Sequence, residues 1–267
     1  LRDCGYDISD YRGVAPEYGT LADFKQLLND IHTRGMKLVL DLVLNHTSDQ
    51  HPWFLESKSS KDSPKRDWYI WEKGIDGNPP NNRNSTFGGP AWTLDPITGE
   101  YYYHFFFKEQ PDLNWRNPEV KNAMFNEARF WLDIGVDGFR LDAIGTIYEN
   151  HPLGNVPAGL NLERILQLRS QAKGPEDFKA IKEKYDLLFE GMHDLPEVHT
   201  LMKEFKAVVA EYPDRVLIGE TDDLAFYGNG IDELDLNFNF PLMQTPRMSA
   251  GHVLLNQDKR ISLLPPG

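Results

Sequence analysis

The chain has 267 residues, of which 40% are hydrophobic, and its formal net charge at pH 7 is −13. This composition allows a sizeable core and argues against a nucleic-acid or anionic-membrane partner, because both carry dense negative charge. No segment offers the ~20 consecutive apolar residues that a membrane-spanning helix needs. The single cysteine, Cys4, excludes an intrachain disulfide and a cysteine-based zinc site.

Residues 21–46 predict a helix followed by a strand. The helical pattern ends at Gly35, which suits the C′ position after a helix. The run KLVLDLVLNH (37–46) is almost continuously apolar, which is typical of a parallel strand covered on both faces. Residues 47–113 are rich in Pro, Gly, Asn and Trp and show little helical period, so they predict an irregular subdomain.

The rest of the chain continues the alternation of helices and strands. Asp194 and Glu197 have the spacing of the N-cap and N3 residues of a capping box. The predicted elements are a helix at 117–135, a strand at 138–144, a polar insertion at 145–194 with one helix near 174–190, a helix at 194–213, a strand at 215–221 and the start of another in 233–243.

This order predicts an α/β fold, a partial (β/α)8 TIM barrel of about strands 2–6 with a subdomain inserted after strand 3. The predicted barrel comprises residues 1–46 and 114–267, and the subdomain comprises residues 47–113. The chain starts without an initiator Met or a signal segment, so we expect it to be part of a longer protein.

The strand GFRLDAI carries two charges on one face, because residues two apart in a strand point the same way. Arg140 and Asp142 could form a structural pair, or Asp142 could be a catalytic carboxylate held beside a cation. Barrel enzymes place reactive groups at the C-terminal ends of strands, and Glu220 ends another strand. Two carboxylates from separate strands are the usual equipment of glycoside hydrolysis.

Five segments resemble the conserved segments of the α-amylase family of glycoside hydrolases (family 13), in the family's order. They are GYDISDY, DLVLNH, QPDLNW, GFRLDAI and LIGE. The segments QPDLN and NHTSDQHPWF, with the block from DLPEVH to RVLIGE, resemble the α-glucosidase and oligo-1,6-glucosidase branch. The resemblance covers essentially the whole chain and is weakest across 145–190.

The resemblance implies a retaining α-glucosidase that removes terminal α-1,4-linked glucose from maltose-type oligosaccharides. Asp142 would be the nucleophile, and Arg140 would keep its carboxylate ionised, since a nearby cation lowers an acid's pKa. Glu220 would be the general acid and then the general base. Retention of configuration would place the two carboxyl groups ~5–5.5 Å apart.

The resemblance also implies sugar contacts. His46 resembles a histidine that binds a glucose hydroxyl, and Asp3 and Tyr6 resemble a pair that cradles the non-reducing glucose. Phe87 and Phe106 resemble aromatics that line the sugar site, with a core role as the alternative for each.

Two further positions carry implications from the family. Ala143 follows the nucleophile, where α-1,4 enzymes tend to have Ala or Thr and α-1,6 enzymes tend to have Val. Asp41 resembles a buried acid of the same strand as His46, with an architectural role.

The family's third catalytic acid and first barrel strand lie outside this chain, so the isolated fragment is expected to be inactive. The pair His193–Asp194 is interpreted as part of a helix cap rather than as that acid. Asn45 resembles a calcium ligand of true α-amylases, but the branch generally lacks that site, so we expect no metal and no cofactor.

The expected partner is a small oligosaccharide, without nucleic acid or membrane, and the expected location is the cytoplasm. Two alternatives stay open. One is a glucosyl-transferring relative such as a trehalose synthase, and the other is a non-catalytic module like the amino-acid transporter heavy chains.

Overall fold

The structure is a computed structural model that describes residues 3–243 and 248–264. None of the helices in this part combines the length and the apolar character required to cross a bilayer. The helices and strands are, in chain order, α1 (Leu21–Thr33), β1 (Val39–Val43), α2 (Pro52–Ser57), β2 (Trp71–Glu72), β3 (Trp92–Leu94), β4 (Tyr101–Tyr103), α3 (Pro118–Ile134), β5 (Gly138–Asp142), α4 (Leu162–Gln171), α5 (Pro175–Phe189), α6 (Glu197–Val209), β6 (Val216–Gly219), β7 (Leu236–Asn237), α7 (Phe240–Met243) and α8 (Ala250–Ile261).

The chain forms two compact units, each built from three segments. The barrel unit comprises residues 10–44, 122–145 and 196–267, and the inserted unit comprises 1–9, 45–121 and 146–195. These boundaries differ from the predicted ones, since residues 1–9, 45–46, 114–121 and 146–195 were assigned to the barrel and lie in the inserted unit.

The barrel unit contains a parallel sheet of four strands among the described residues, in the order β1-β5-β6-β7. About five strands were expected from the sequence. The central strand β5 has the predicted two faces, since Phe139 and Leu141 are fully buried while Arg140 and Asp142 are half-buried. Such a face of partly solvated charges at a strand end suits a site rather than a core.

The helices of the barrel unit start and end at identifiable residues. Thr20 and Asp23 form a capping box at the start of α1, and Gly35 follows its end with φ +72°, so the prediction of a C′ glycine is confirmed.

The predicted cap of α6 is wrong. Pro196 occupies its N-cap position and forms no side-chain cap hydrogen bond. The carboxylate of Asp194, which has φ +56°, is instead engaged by His193 Nδ1. The Asp194 carboxylate is therefore hydrogen-bonded to the neighbouring His193 and does not cap the helix, as its spacing had predicted.

The inserted unit combines a small antiparallel sheet, in the order β2-β4-β3, with the helices α4 and α5. The sequence predicted α5 but not α4, which buries Ile165. A core cluster joins the sheet to both helices and includes Trp92, Tyr103, Leu188 and Phe189.

Polar side chains of residues 81–83 fasten the segment 146–195 to the rest of the inserted unit. Asn82 Nδ2 donates to Val156 O at 3.0 Å, and Asn82 Oδ1 accepts from Val156 N at 2.8 Å. Arg83 Nη1 donates to Leu188 O at 2.8 Å, at the end of α5, and Arg83 Nε donates to Gly154 O at 2.8 Å. These bonds explain why the segment 146–195 does not belong to the barrel unit.

Candidate active site

The barrel unit brings together the two carboxylates that the sequence singled out. Asp142 is the last residue of β5, and Glu220 directly follows β6. Leu141 pairs with Gly219 in the parallel ladder, so the two side chains emerge at neighbouring strand ends. This edge of the sheet is the place where barrel enzymes carry their chemistry.

Arg140 connects these carboxylates with a third one. Its Nη1 lies 2.8 Å from each carboxylate oxygen of Asp41 and 2.5 Å from Asp142 Oδ1, and its Nη2 lies 2.8 Å from Glu220 Oε2. The exposed fraction is 18% for the Arg140 side chain, 13% for Asp142 and 26% for Glu220. The Arg140 guanidinium therefore contacts three carboxylates at the ends of neighbouring strands, where the side chains are only partly exposed to solvent.

The electrostatics of Asp142 differ from the prediction. Its pKa is raised from 3.8 to about 7: burial raises it most, the charge of Arg140 lowers it, and the charges of Glu220 and Asp41 raise it. Arg140 acts in the predicted direction, since it lowers the pKa of Asp142, but desolvation of the charged carboxylate outweighs the neighbouring cation. The three acids also hold the guanidinium of Arg140 firmly charged.

Asp41 does not have the environment that the resemblance implied. Its side chain is 42% exposed rather than buried, and its two oxygens face Arg140. The β1 strand pairs Asp41 with Arg140 directly, which explains the contact. Asp41 therefore forms one group of charged side chains with Arg140, Asp142 and Glu220, which we call the charge cluster.

Ala143 contacts Glu220 through its main chain. It follows β5 with φ +41°, and its N–H donates to Glu220 Oε2 at 2.9 Å. No residue pattern predicts this contact, since it depends on backbone conformation and not on side-chain type.

The sugar-contact candidates lie in the inserted unit. His46 is buried, and its Nδ1 and Nε2 lie 2.9 Å from Asn45 Oδ1 and 3.0 Å from Tyr6 O. Burial lowers the pKa of His46 to about 4, although the Tyr6 carbonyl and the charge of Asp7 act in the opposite direction. His46 is therefore a neutral imidazole near pH 7.

The N-terminal candidates form a local network. Tyr6 N donates to Asp3 O at 2.8 Å, and Asp3 N donates to Asp7 Oδ1 at 3.1 Å. Asp3 Oδ2 accepts from Gln110 Nε2 at 2.9 Å, and Gln110 is fully buried. Gln110 belongs to the segment QPDLNW, but nothing in the sequence predicts its hydrogen bond to Asp3.

The two phenylalanines differ in their surroundings. Phe106 packs against the core cluster and meets the His46 ring edge-on with centroids 5.2 Å apart. Phe87 is 52% exposed and contacts Phe106 and Phe107 at 5.6 and 4.4 Å between ring centroids. A core role fits Phe106, whereas Phe87 presents an open aromatic surface.

Asn45 is oriented by hydrogen bonds to protein groups. Its Nδ2 donates to Asp112 Oδ2 at 3.0 Å and to Thr146 O at 2.6 Å, and its Oδ1 faces His46. Asp112 is a buried acid that the sequence did not single out. Within 3–243 and 248–264, no group of three or more His, Cys, Asp or Glu side chains is arranged to hold a metal ion.

Comparison with known families decides the classification. Residues 1–259 match the family model described as alpha amylase, catalytic domain. The chain belongs to the α-amylase family of glycoside hydrolases. The predicted family is thereby confirmed, and so is the predicted fold class, a part of a (β/α)8 barrel.

Relatives within the α-amylase family agree with the predicted branch. The chain is 46% identical over 219 residues to an oligo-1,6-glucosidase of Parageobacillus thermoglucosidasius, with 82% of the chain and 35% of the relative covered. It is 40% identical over 261 residues to a probable alpha-glucosidase of Rhizobium meliloti, with 95% of the chain and 46% of the relative covered.

A solved structure supports the same placement. An alpha-glucosyl transfer enzyme matches with a TM-score of 0.82 and 36% identity, over 98% of this chain and 48% of that one. The chain thus spans less than half the length of each of these relatives.

Proposed function

We propose that the protein is a retaining α-glucosidase. In the first step, a carboxylate oxygen of Asp142 attacks the anomeric carbon while Glu220 protonates the departing glycosidic oxygen. In the second step, water gives a proton to Glu220 and attacks the same carbon, which releases glucose and Asp142. The supporting observation is the placement of both acids around one guanidinium at neighbouring strand ends.

The charge cluster suits the two roles. A nucleophilic carboxylate must be ionised when it attacks, and the pKa of about 7 at Asp142 makes that state pH-dependent near neutrality. Arg140 contacts both acids, so it orients them and limits the repulsion between two negative charges.

The proposed substrate is a maltose-type oligosaccharide with a terminal α-1,4-linked glucose. Ala143 supports this linkage through the family pattern at the residue after the nucleophile. Asp3, Tyr6, His46, Phe87 and Phe106 remain proposed sugar contacts. The Phe106 ring lies against the rings of His46 and Phe87. We also keep the cytoplasm as the location and the absence of a nucleic-acid partner as proposals.

A glucosyl-transferring activity is the second candidate, because one matching structure is named an alpha-glucosyl transfer enzyme. Hydrolysis and transfer share Asp142 and Glu220 and differ in whether water or a sugar hydroxyl attacks the glucosyl-enzyme. Incubation of the full-length protein with maltose distinguishes them. Release of glucose supports the hydrolase, and accumulation of trehalose or another disaccharide supports the transferase.

Two variants of the full-length protein test the roles. Asp142→Asn removes the nucleophile and should reduce turnover of every substrate by several orders of magnitude. Glu220→Gln should spare an aryl α-glucoside with a good leaving group more than maltose, because that leaving group needs little protonation. Glu211→Gln, an exposed acid paired with Arg129, is the control and should keep full activity.

Equal losses of both variants on both substrates would show that the assignment of roles is wrong. Unfolding curves at pH 7 should show all three variants folded, which separates a lost chemical group from a lost structure.

A further inference from the structure

A cavity of about 600 Å³ lies in the inserted unit. Its walls are formed by residues 75–76, 78–84, 89–90 and 155, all in the described part of the chain and all distinct from the charge cluster and the sugar-contact candidates. Pro79 and Pro80 have fixed φ angles, so this stretch of wall is rigid before a ligand binds. The volume is typical of a small-molecule site, since such sites measure ~300–1,000 Å³.

Arg83 places a buried positive charge in the cavity wall. The residue is 7% exposed, and burial lowers the pKa of its guanidinium, whereas the charge of Glu190 acts in the opposite direction. Arginine nevertheless stays protonated near pH 7. A buried charge costs free energy unless hydrogen bonds and an opposite charge compensate it.

The buried Arg66 has such compensation, and Arg83 lacks part of it. Arg66 Nη2 lies 2.7 Å from Glu100 Oε2. No carboxylate in the described part of the chain forms an ion pair with Arg83, whose Nε and Nη1 donate to the main-chain carbonyls of Gly154 and Leu188 at 2.8 Å each. Its Nη2 donates to no acceptor among the same residues, so both N–H groups of this nitrogen remain available at the cavity wall.

Two asparagines and one aspartate add further polar groups to the lining. Asn155 Oδ1 accepts from Asn82 N at 2.9 Å, and its Nδ2 donates to no group in the described residues. Asn78 Nδ2 donates to Asp76 O at 3.2 Å, which leaves Asn78 Oδ1 as an acceptor. The Asp76 carboxylate is a second acceptor in the lining. The cavity therefore offers donors at Arg83 and Asn155, and acceptors at Asn78 and Asp76.

These groups fit neither a neutral sugar nor a bare anion. A neutral sugar would leave the charge of Arg83 uncompensated, and a bare phosphate would face the oxygens of Asp76 and Asn78. A ligand that joins an oxyanion to hydroxyl groups satisfies the donors and the acceptors alike. The charges of Asp76 and Glu190 oppose the anion, but both residues are exposed, so solvent screens them more than it screens Arg83.

We propose that this cavity binds an anionic sugar. The phosphate or carboxylate of the ligand accepts hydrogen bonds from Arg83 Nη2 and Asn155 Nδ2, and the sugar hydroxyls donate to the Asp76 carboxylate and to Asn78 Oδ1. Hydrogen bonds between a guanidinium and an oxyanion are among the strong ones, because both partners are charged. Binding here makes and breaks no covalent bond and uses no residue of the charge cluster.

Two isosteric substitutions test the site in the full-length protein. Arg83→Met is unsuitable, because it would also remove the hydrogen bonds to Gly154 O and Leu188 O. Asn155→Asp keeps Oδ1 as the acceptor for Asn82 N and replaces the donor Nδ2 with a charged oxygen. Asp76→Asn removes the opposing charge, and asparagine accepts the φ of +50° at this position.

The measurement is calorimetric titration at pH 7.5 and low salt with glucose 6-phosphate, glucuronate, inorganic phosphate and glucose. At least one of the two anionic sugars should bind wild type about tenfold or more tightly than phosphate or glucose, because it satisfies both sets of groups. Comparison of glucose 6-phosphate with glucuronate distinguishes a phosphate ligand from a carboxylate ligand. Asn155→Asp should weaken this binding about tenfold or more, since a donor becomes a like charge. Asp76→Asn should tighten the binding of inorganic phosphate about threefold or more.

Asn29→Asp is the matched control, since it adds the same charge at an exposed position of α1 in the barrel unit. It should keep every affinity within about twofold of wild type. Unfolding curves should show all three variants folded.

Three outcomes would overturn the inference. Binding of both anionic sugars no tighter than that of glucose would remove the role of Arg83. Tight binding that persists in Asn155→Asp would place the ligand outside this cavity. Phosphate binding as tight as that of the anionic sugars would remove the role of Asp76 and Asn78. None of the four probes contains a glycosidic bond, so absence of α-glucosidase activity would overturn the proposed function and leave this result unchanged.

Discussion

The ring of His32 on α1 lies with Nε2 2.7 Å from Asp137 Oδ2, although 105 positions separate the two residues in the chain. Asp137 immediately precedes β5 and is almost fully buried. Its carboxylate also accepts from Lys37 Nζ and Leu38 N, each at 2.9 Å. One buried acid thus connects α1, the approach to β1 and the start of β5 within the barrel unit.

This network predicts a loss of stability in acid. Burial acts to raise the pKa of Asp137, but hydrogen bonds from Leu38, His32 and Lys37 outweigh it and lower the pKa from 3.8 to about 2. A depressed carboxyl pKa stabilises the fold above the unfolded-state value, and this contribution is lost as pH falls from about 4 to 2. Asp137→Asn should therefore lower the free energy of unfolding at pH 7 by about 2 kcal/mol.

Urea unfolding of the full-length protein between pH 7 and 2 checks this, with a flatter curve expected for Asp137→Asn below pH 4. The exposed Asp133→Asn on α3 is the control and should stay within about 0.5 kcal/mol of wild type. A variant as stable as wild type at pH 7 would contradict the role of the network.

We expect the buried His46 to reduce the stability of the fold at a higher pH than Asp137 does. Its pKa falls from 6.5 to about 4 on folding, because the charged imidazolium is poorly solvated in its buried position. A base with a depressed pKa contributes full stability above pH 6.5 and loses it as pH falls towards 4. The contribution of His46 should fall by about 3 kcal/mol. It is read as the difference in free energy of unfolding between wild type and His46→Gln, because Asp142, whose pKa is raised to about 7, gains stability over the same pH range.

His46→Gln removes the titrating imidazole, so the free energy of unfolding of wild type should fall relative to that of this variant as pH goes from 6.5 to 4. His193→Gln, which changes a partly exposed histidine of the same unit, is the control substitution. Parallel curves for wild type and His46→Gln between pH 6.5 and 4 would show that His46 does not titrate there.

We expect the position of the acid limb of the pH–rate profile to depend on Arg140. Asp142 must be ionised to attack, and its pKa of about 7 includes a lowering effect from Arg140. Arg140→Met removes the cation and should raise that pKa, so the acid limb of kcat/KM should move up by about one unit or more. The measurement is kcat/KM for an aryl α-glucoside from pH 5 to 9.

Arg129→Met, which breaks an exposed pair with Glu211, is the matched control and should leave the limb in place. Arg140→Lys keeps the charge and should shift the limb less than methionine does. Identical limbs for wild type and Arg140→Met would contradict the electrostatic role of the guanidinium.

We expect the first position of β5, Gly138, to accept no residue with a side chain. A Cβ at this position would lie 2.1 Å from Val216 O and 2.7 Å from Val216 Cγ1, so β5 and β6 would have to separate. Gly138→Ala should destabilise the protein by more than about 2 kcal/mol in denaturant unfolding. Gly154→Ala, which would meet no atom within 4 Å, should change stability little, and similar effects of both substitutions would refute the steric argument.

Local patterns in the sequence were sufficient to predict the elements that the site depends on. The alternation in 138–144 predicted that Arg140 and Asp142 share a face, and the structure has this arrangement because Phe139 and Leu141 fill the other face. The strand that leads to Glu220 was also correctly placed, since its apolar residues are continuous in the chain.

Properties that depend on distant partners could not be read from the sequence. The pKa of Asp142 results from burial and from Glu220 and Asp41, which lie on other strands. The N–H of Ala143 reaches Glu220 only through a backbone angle that no residue pattern signals. The helix α4 was missed although Leu162, Ile165 and Leu166 have helical spacing.

The polar fastening by Asn82 and Arg83 has a consequence for the dynamics of the inserted unit. Asn82 bonds to Val156, and Arg83 bonds to Leu188 and Gly154, so segments far apart in sequence share hydrogen bonds that open together. In amide hydrogen exchange such segments behave as one cooperative unit, with similar opening free energies. Residues 81–83, 153–156 and the end of α5 should therefore exchange their amide protons at related rates, and a substitution at Asn82 should accelerate exchange in all three segments.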